Sequence, residues 1–355
     1  MATKFNQIIK IKNKKIGKGQ PVFIIAEAGV NHNGDYELAE KLVREAKKVG
    51  ADCVKFQTFR AQKLVTEKSP KAGYQLLSTD PKESQFAMLQ SLELGENEHF
   101  KLNKLCNQLG ILFISTPYNF ADVDFLARIP VPAYKLASMH LTESPMVKYV
   151  AKQKRPVIMS TGMSTLEDIK IAVKNFGDVG NRDLIILQCT TNYPTSIKDV
   201  NLRTIKTIKK ATGAVTGYSD HTLGIEASIL AVGAGAEIIE KHFTLDKKMK
   251  GPDHASSADP REFAQMVKRI RDAEVMMGSA KKDLTAVEKL NKKGMKRSLV
   301  AVVPIKAGKK IKATMLDFKR PEGGLSPNFY YKVIGKMARK NIEPDQKLTK
   351  NDFIL

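Results

Sequence analysis

The 355-residue chain has no tryptophan and only three cysteines, Cys53, Cys106 and Cys189. Isolated thiols inside apolar segments, odd in number and without metal-ligand spacing, argue against a disulfide framework and for a reducing cytoplasm. No apolar run approaches the ~18 residues of a membrane span, so no membrane partner is expected. Met1–Gln20 alternates Lys with Ile and Asn, lacks a signal peptide's apolar core, and is expected to begin the fold. Acidic residues are scarce beside basic ones, 37 Asp and Glu against 59 Lys and Arg, a net charge of +22. That excess raises nucleic-acid binding as a function. The lysines are spread along the chain, however, aromatic residues are only 7% of it, and no nucleic-acid motif appears. The charge therefore reads as a solvated lysine-rich surface whose field favours anionic substrates. Roughly half of the surplus follows Ser279, one sign of a domain boundary there.

What the chain does have is a repeat: short apolar runs that end in polar residues, each followed by an amphipathic stretch. Val22–Ile25 leads into Ala-Glu-Ala-Gly and the turn Asn31-His32-Asn33-Gly34, and the next helix puts Leu38, Leu42, Val43 and Ala46 on one face. Cys53–Thr58 alternates, with Lys55 and Gln57 to one side and Val54 and Phe56 to the other. Ile111–Ile114, Ala133–Leu136, Pro156–Met159, Leu184–Leu187, Ala214–Tyr218 and Ala236–Ile239 continue the strand pattern. Helices are expected at Glu98–Leu109, Met146–Lys152, Leu166–Asn175, Leu202–Lys210, Leu223–Val232 and Arg261–Met277.

About eight βα units predict an α/β chain closed into a (β/α)8 TIM barrel. A doubly wound open sheet is the alternative, but it usually has fewer units and a Gly-rich first turn, which is missing here. The barrel is expected over residues 1–279, a linker over 280–293, and a small, mostly β module over 294–355. Phe59–Glu96, with a helical patch around Glu83–Leu92, is too long for a plain connection and is expected to be a lid or contact surface.

In a barrel of this kind the active site lies at the C-terminal strand ends. Those ends carry Glu27, Lys55, Gln57, Thr116, Lys135, Ser138, Ser160, Thr190, Thr191, Tyr193, Ser219, His221, Glu240 and His242. His221 and His242 follow successive strands, whose ends lie about 5 Å apart, so the two imidazoles could share one divalent metal. Two lysines among hydroxyls suit a ligand bearing phosphate and carboxylate, in preference to a Schiff-base lysine. Glu27 is a third metal ligand, a general base, or a structural carboxylate. Asp253 and His254, in a loop past the last strand, could reach a sugar hydroxyl.

Together, Ile25–Gly34, Val54–Thr58, Ser115–Pro117, Tyr134–Ser138, Cys189–Pro194, Gly217–Gly224, Glu240–Leu245 and Gly251–His254 resemble the sialic acid synthase family. The likeness runs through nearly the whole chain, including a C-terminal module similar to the antifreeze-like (SAF) domain. The resemblance implies a metal-dependent condensation of phosphoenolpyruvate with an N-acetylated amino sugar to a nine-carbon 2-keto sugar acid and phosphate. The sugar would be N-acetylmannosamine or a 2,4-diacetamido-trideoxyhexose, and the product sialic or legionaminic acid. Pseudaminic acid synthesis and a Kdo- or DAHP-type aldose condensation are the alternatives; the C-terminal module argues against the last.

The resemblance also implies roles. His221 and His242 would bind the metal, manganese with magnesium or cobalt as alternatives. Lys55, Thr116 and Lys135 would hold the carboxylate, and Ser138, Ser160, Thr191, Ser219 and Lys135 the phosphate. Gln57, Tyr193 and Asp253 would meet the acceptor sugar, with Glu27 near the reacting atoms. Arg320 would enter the mouth of the other subunit of a domain-swapped homodimer and touch the sugar's N-acetyl group. One position departs: His140 stands where many relatives have Glu near the sugar, which leaves the acceptor open. The Gly251–His254 loop favours a neuraminate- or legionaminate-type enzyme over a pseudaminate one.

Overall fold

The computed structural model describes residues 4–354, and the ends of the expected domains at residues 1–3 and 355 lie outside the described residues. The chain divides into two compact units, Met1–Gly278 and Ser279–Leu355.

The first unit opens with an antiparallel hairpin, β1 (Ile8–Ile11) and β2 (Lys14–Gly17). Eight parallel strands follow: β3 (Phe23–Gly29), β4 (Cys53–Thr58), β5 (Leu112–Pro117), β6 (Tyr134–Leu136), β7 (Val157–Ser160), β8 (Leu184–Cys189), β9 (Val215–Asp220) and β10 (Ile238–His242). Their order is β5-β4-β3-β10-β9-β8-β7-β6. The end strands β5 and β6 lie against one another, so the sheet wraps into a nearly closed barrel. The strands are buried on both faces, which is why they read as continuous apolar runs.

Alternation divides the core. Phe23, Ile25, Cys53, Ile114, Ile158, Ile185, Val215 and Ile238 form one buried cluster inside the barrel, and Ile9, Ile11 and Ile16 of the hairpin belong to it. The hairpin thus plugs the interior, a role that the lysine-rich lead does not announce. Ile24, Ala26, Val54, Phe56, Tyr218 and Ile239, of opposite parity, pack outward with the helices. Gly217 is required for closeness: a Cβ there would lie 2.3 Å from the Ile238 carbonyl oxygen.

The helices form where the sequence supplies apolar stripes and caps. Tyr36–Lys48, capped by Asp35, buries Ala39, Leu42, Val43 and Ala46. Thr165 with Asp168 and Asp259 with Glu262 form capping boxes for Leu166–Asp178 and Pro260–Met277. Phe120–Arg128 is a helix that the periodicity does not flag; its Asn119–Asp122 capping box starts it. The long stretch after β4 is not a plain loop but holds three short helices, Ala61–Leu64, Gly73–Ser78 and Gln85–Ser91. Met88 and Leu92 from it pack with Val30 and Phe59.

The second unit's first helix is Ala286–Met295, which overlaps the stretch expected as a linker and runs into the expected module. The antiparallel pair β11 (Ser298–Ala301) and β12 (Leu316–Lys319) follows, with bridges such as Ile305 to Ile342 and Ala338 to Phe353. Leu299, Ile305, Ile311, Val333, Ile342 and Leu348 form its core. Among the described residues no helix is long and apolar enough to cross a membrane.

Candidate active site

The parity that turns Phe23 and Ile25 inward also turns in Glu27, further along β3. The same parity on β4 and β10 turns in Lys55 and Gln57, and Glu240 and His242. One cavity at the C-terminal strand ends is therefore lined by Glu27, Lys55, Gln57, Thr116, Lys135, Ser138, Ser160, Cys189, Tyr193, Ser219, His221, Glu240 and His242.

Its floor is a charged network. Lys55 Nζ lies 2.6 Å from Glu27 Oε2 and 3.8 Å from Glu240 Oε1. Lys135 Nζ lies 3.6 Å from the same Glu240 oxygen and donates to Ser160 Oγ at 2.7 Å. Lys55 donates to Thr116 Oγ1 at 3.2 Å, and Ser219 Oγ to Glu240 Oε1 at 3.2 Å. Burial pushes the Glu27 carboxyl up, to about 7, against the pull of Lys55. Burial acts on Glu240 in the same direction, but the ammoniums of Lys135 and Lys55 overrule it and hold this carboxyl below its usual range. Burial lowers Lys135, whereas the two carboxylates outweigh burial at Lys55 and raise it. Glu240 thus stays charged and bridges two ammoniums, while Glu27 is poised near neutrality to take a proton.

The imidazoles stand beside this floor. The His221 and His242 rings have centroids 5.4 Å apart, and Tyr193 lies against both, 4.1 Å and 5.4 Å away. His221 Nδ1 is 2.8 Å from the Thr190 carbonyl oxygen, to which it donates; burial works against its charged form, but the Cys189 sulfur outweighs burial and raises the ring, so Nε2 offers a lone pair once it gives up its proton. His242 Nδ1 is buried without a hydrogen-bond partner, 3.7 Å from Asp253 Oδ2. Burial and the neighbouring His221 hold His242 well below its usual value, in the neutral form that ligates a metal. Among the described residues no cluster of three or more ligand-type side chains is assembled. The orphaned His242 nitrogen, and His221 Nε2 on loss of its proton, nonetheless fit a divalent ion whose other ligands come from substrate or water.

Of the remaining candidates, Asp253 stands beside His242, its carboxyl pushed up by burial to about 6. Ser138 Oγ accepts the Gly162 N–H at 2.9 Å; Thr191 is exposed, and its hydroxyl crowds the same glycine. His254 is fixed by Thr244 Oγ1 at 2.6 Å and Asn33 Oδ1 at 3.2 Å. His140 does not line the cavity. It is fully buried behind Tyr118, ring centroids 5.5 Å apart, and neither ring nitrogen has a partner. Arg320 is an exposed residue of the second unit.

Three residues at or beside the cavity carry more than the motifs assign. Glu240 links both lysines, and its parity with His242 on one strand is the signal that marks it. Tyr118 donates to Gln57 Oε1 at 3.0 Å, while Gln57 Nε2 donates to Glu27 Oε1 at 3.3 Å. Cys189 Sγ lies 3.9 Å from His221 Nδ1; burial would raise the thiol, but His221 and Lys135 hold it below its usual value.

A parallel eight-stranded barrel with these groups converging at its C-terminal mouth has the build of an α/β-barrel enzyme for anionic substrates. The NeuB family model matches residues 42–282 and the SAF domain model residues 296–354; the chain belongs to the NeuB family, whose members are nonulosonic acid synthases, and carries a C-terminal SAF domain. It is 41% identical to the N,N'-diacetyllegionaminic acid synthase of Legionella pneumophila, over 93% of this chain and 94% of that one. It is 38% identical to a pseudaminic acid synthase of Campylobacter jejuni, over 94% of this chain and 96% of the other. A crystal structure of the N-acetylneuraminic acid synthetase of Leptospira borgpetersenii superposes with a TM-score of 0.72 at 34% identity, covering 81% of this chain and 96% of that one.

Proposed function

We propose that this chain condenses phosphoenolpyruvate with the open-chain aldehyde of an N-acetylated amino sugar, giving a nine-carbon 2-keto sugar acid and inorganic phosphate. The observation that carries the reading is one cavity in which two buried ammoniums, Lys55 and Lys135, adjoin the His221–His242 pair. A trianionic substrate needs such ammoniums, and an aldehyde needs an electrophilic partner. Bound at His221 and His242, a divalent ion, manganese by family resemblance, would supply Lewis-acid polarisation of the acceptor aldehyde.

The residues divide the rest of the work. Lys55, Thr116 and Lys135 hold the carboxylate of phosphoenolpyruvate, and Ser138, Ser160, Thr191, Ser219 and Lys135 its phosphate. Gln57, Tyr193 and Asp253 orient the acceptor, and Glu27 exchanges a proton beside the reacting carbons. The new carbon–carbon bond joins C3 of phosphoenolpyruvate to the aldehyde carbon, whose oxygen takes up a proton. Water adds to C2, and the C–O bond to phosphate breaks, so that the keto acid and phosphate leave. Arg320 of a second, domain-swapped subunit meets the N-acetyl group.

Relatives named for legionaminic and pseudaminic acid are similarly distant, so the acceptor is tested directly. Phosphate release from phosphoenolpyruvate with Mn²⁺ is measured against N-acetylmannosamine, its 6-phosphate, 2,4-diacetamido-2,4,6-trideoxymannose, the corresponding altrose, and arabinose 5-phosphate. Turnover with the diacetamido-mannose sugar or N-acetylmannosamine is expected. Turnover with arabinose 5-phosphate alone would overturn the reading.

A further inference from the structure

His221 and His242 are each preceded by a charged residue, Asp220 and Lys241. Alternation turns the imidazoles into the barrel and the preceding residues out, into the layer between sheet and helix Glu226–Ala234. Asp220 and Lys241 are register partners on β9 and β10, 1% and 2% exposed, and their charges pair at 3.0 Å.

Every bond this pair makes beyond itself fixes the corner that carries His221. Asp220 Oδ1 accepts the Thr222 N–H at 2.9 Å, the Thr222 hydroxyl at 2.8 Å and the Tyr218 hydroxyl at 3.3 Å. Asp220 Oδ2 accepts from Ser228 Oγ at 2.7 Å, which ties the corner to the helix. Lys241 Nζ donates to the Thr222 carbonyl oxygen at 2.8 Å, tying the residue before His242 to the residue after His221. A buried ion pair gains little stability over apolar side chains of like volume, because desolvation offsets the attraction. Its distinctive contribution is direction: charge-assisted bonds fix atoms that apolar contacts would let slide.

We infer that Asp220 and Lys241 are positioning residues that set the spacing and direction of His221 and His242 toward a divalent cation. The inference rests on the metal reading given above. The pair touches neither substrate nor the reacting atoms; it acts through the two strand ends.

The test is Mn²⁺ affinity, read from free Mn²⁺ by electron paramagnetic resonance on full-length, chelator-treated protein. Wild type, His242→Ala, Asp220→Asn, Lys241→Met and the double variant Asp220→Leu with Lys241→Met are titrated beside thermal melts. Wild type binds Mn²⁺ and His242→Ala does not. The pair variants raise the Mn²⁺ Kd by about 10–100-fold, the usual effect of losing an outer partner of a metal ligand. The double variant leaves the Thr222, Tyr218 and Ser228 donors and the Thr222 carbonyl without partners, so it is expected to melt below wild type, and its Kd is read at a temperature where the melt shows it folded. Asp220→Asn, nearly isosteric, answers the question should the double variant not fold. Wild-type Mn²⁺ affinity in a folded pair variant would overturn the inference alone. Wild type that binds no Mn²⁺, or His242→Ala that binds it normally, would overturn the metal reading and the inference with it.

Discussion

The ammonium of Lys55 and the carboxylate of Glu27 meet at 2.6 Å with side chains only 4% and 2% exposed. Removing one partner of a buried pair strands the other charge, a loss of about 3–5 kcal/mol when it cannot be relieved. Here it can be relieved, because burial already holds Glu27 near 7 and the carboxyl can take a proton. Lys55→Met raises that value further. A group whose folded value lies above its unfolded one loses stability as pH rises through the folded value. Lys55→Met is therefore expected to be much less destabilised at pH 6 than at pH 8.5, measured by urea unfolding against wild type. An equal loss at both pH values would contradict the pairing.

The same carboxyl predicts a kinetic limb. If Glu27 accepts a proton during turnover it must be ionised, so kcat/KM rises with pH through about 7. Glu27→Gln should lower kcat by about 10²–10⁴-fold and flatten that limb while the protein stays folded. A retained limb in Glu27→Gln assigns it to another group.

Gly217 is a packing prediction. With a Cβ 2.1 Å from Ile238 Cγ2 and 2.3 Å from the Ile238 carbonyl oxygen, Gly217→Ala must move β9 from β10. Overpacking of this kind costs about 1–3 kcal/mol. Because Ser219 and His221 lie just beyond, the substitution should also raise the Mn²⁺ Kd; unchanged urea midpoint and affinity would show that the strands have room.

The barrel was legible because strands buried on both faces show as apolar runs whatever surrounds them. Cys53–Thr58 also carries its polarity in alternation, which by itself aims Lys55 and Gln57 at the mouth. The β1–β2 hairpin was not legible: half its residues are exposed, and the lysines hide the three isoleucines that plug the barrel. Helix Phe120–Arg128 shows itself through its cap and not its stripe. In the site, motif positions fall where strand parity puts them, but His140 lies one turn past its strand, where parity says nothing. Contact decides there, and Tyr118 covers it. Glu240, apparent as polar, gains its importance from two lysines far away in sequence.

Two buried histidines work against the fold in acid. Burial lowers His32 to about 3 and His140 to about 4, against 6.5 in an unfolded chain. Below pH 6.5 the unfolded state binds protons at these two rings that the folded state refuses, so their contribution to stability falls as pH drops toward 4. Because the raised Glu27 and Asp253 carboxyls act the opposite way in the same window, the reading is a difference: from pH 6.5 to 4 the melting temperature of His140→Leu is expected to gain on that of wild type. An unaltered slope in that variant removes His140 from the account.

Arg320→Ala should raise the KM of the acceptor sugar more than that of phosphoenolpyruvate and leave the melting temperature unchanged, since this residue is exposed. An unchanged acceptor KM refutes its assignment to the N-acetyl group.

The most direct test of the condensation follows the bridging oxygen of phosphoenolpyruvate. Substrate labelled with ¹⁸O between C2 and phosphorus is turned over with the active sugar and Mn²⁺, and the released phosphate is weighed by mass spectrometry. Label recovered in phosphate, together with a nine-carbon keto acid, is the predicted result, since the C–O bond breaks. Unlabelled phosphate would mean that the P–O bond breaks, and would contradict the chemistry assigned to this barrel.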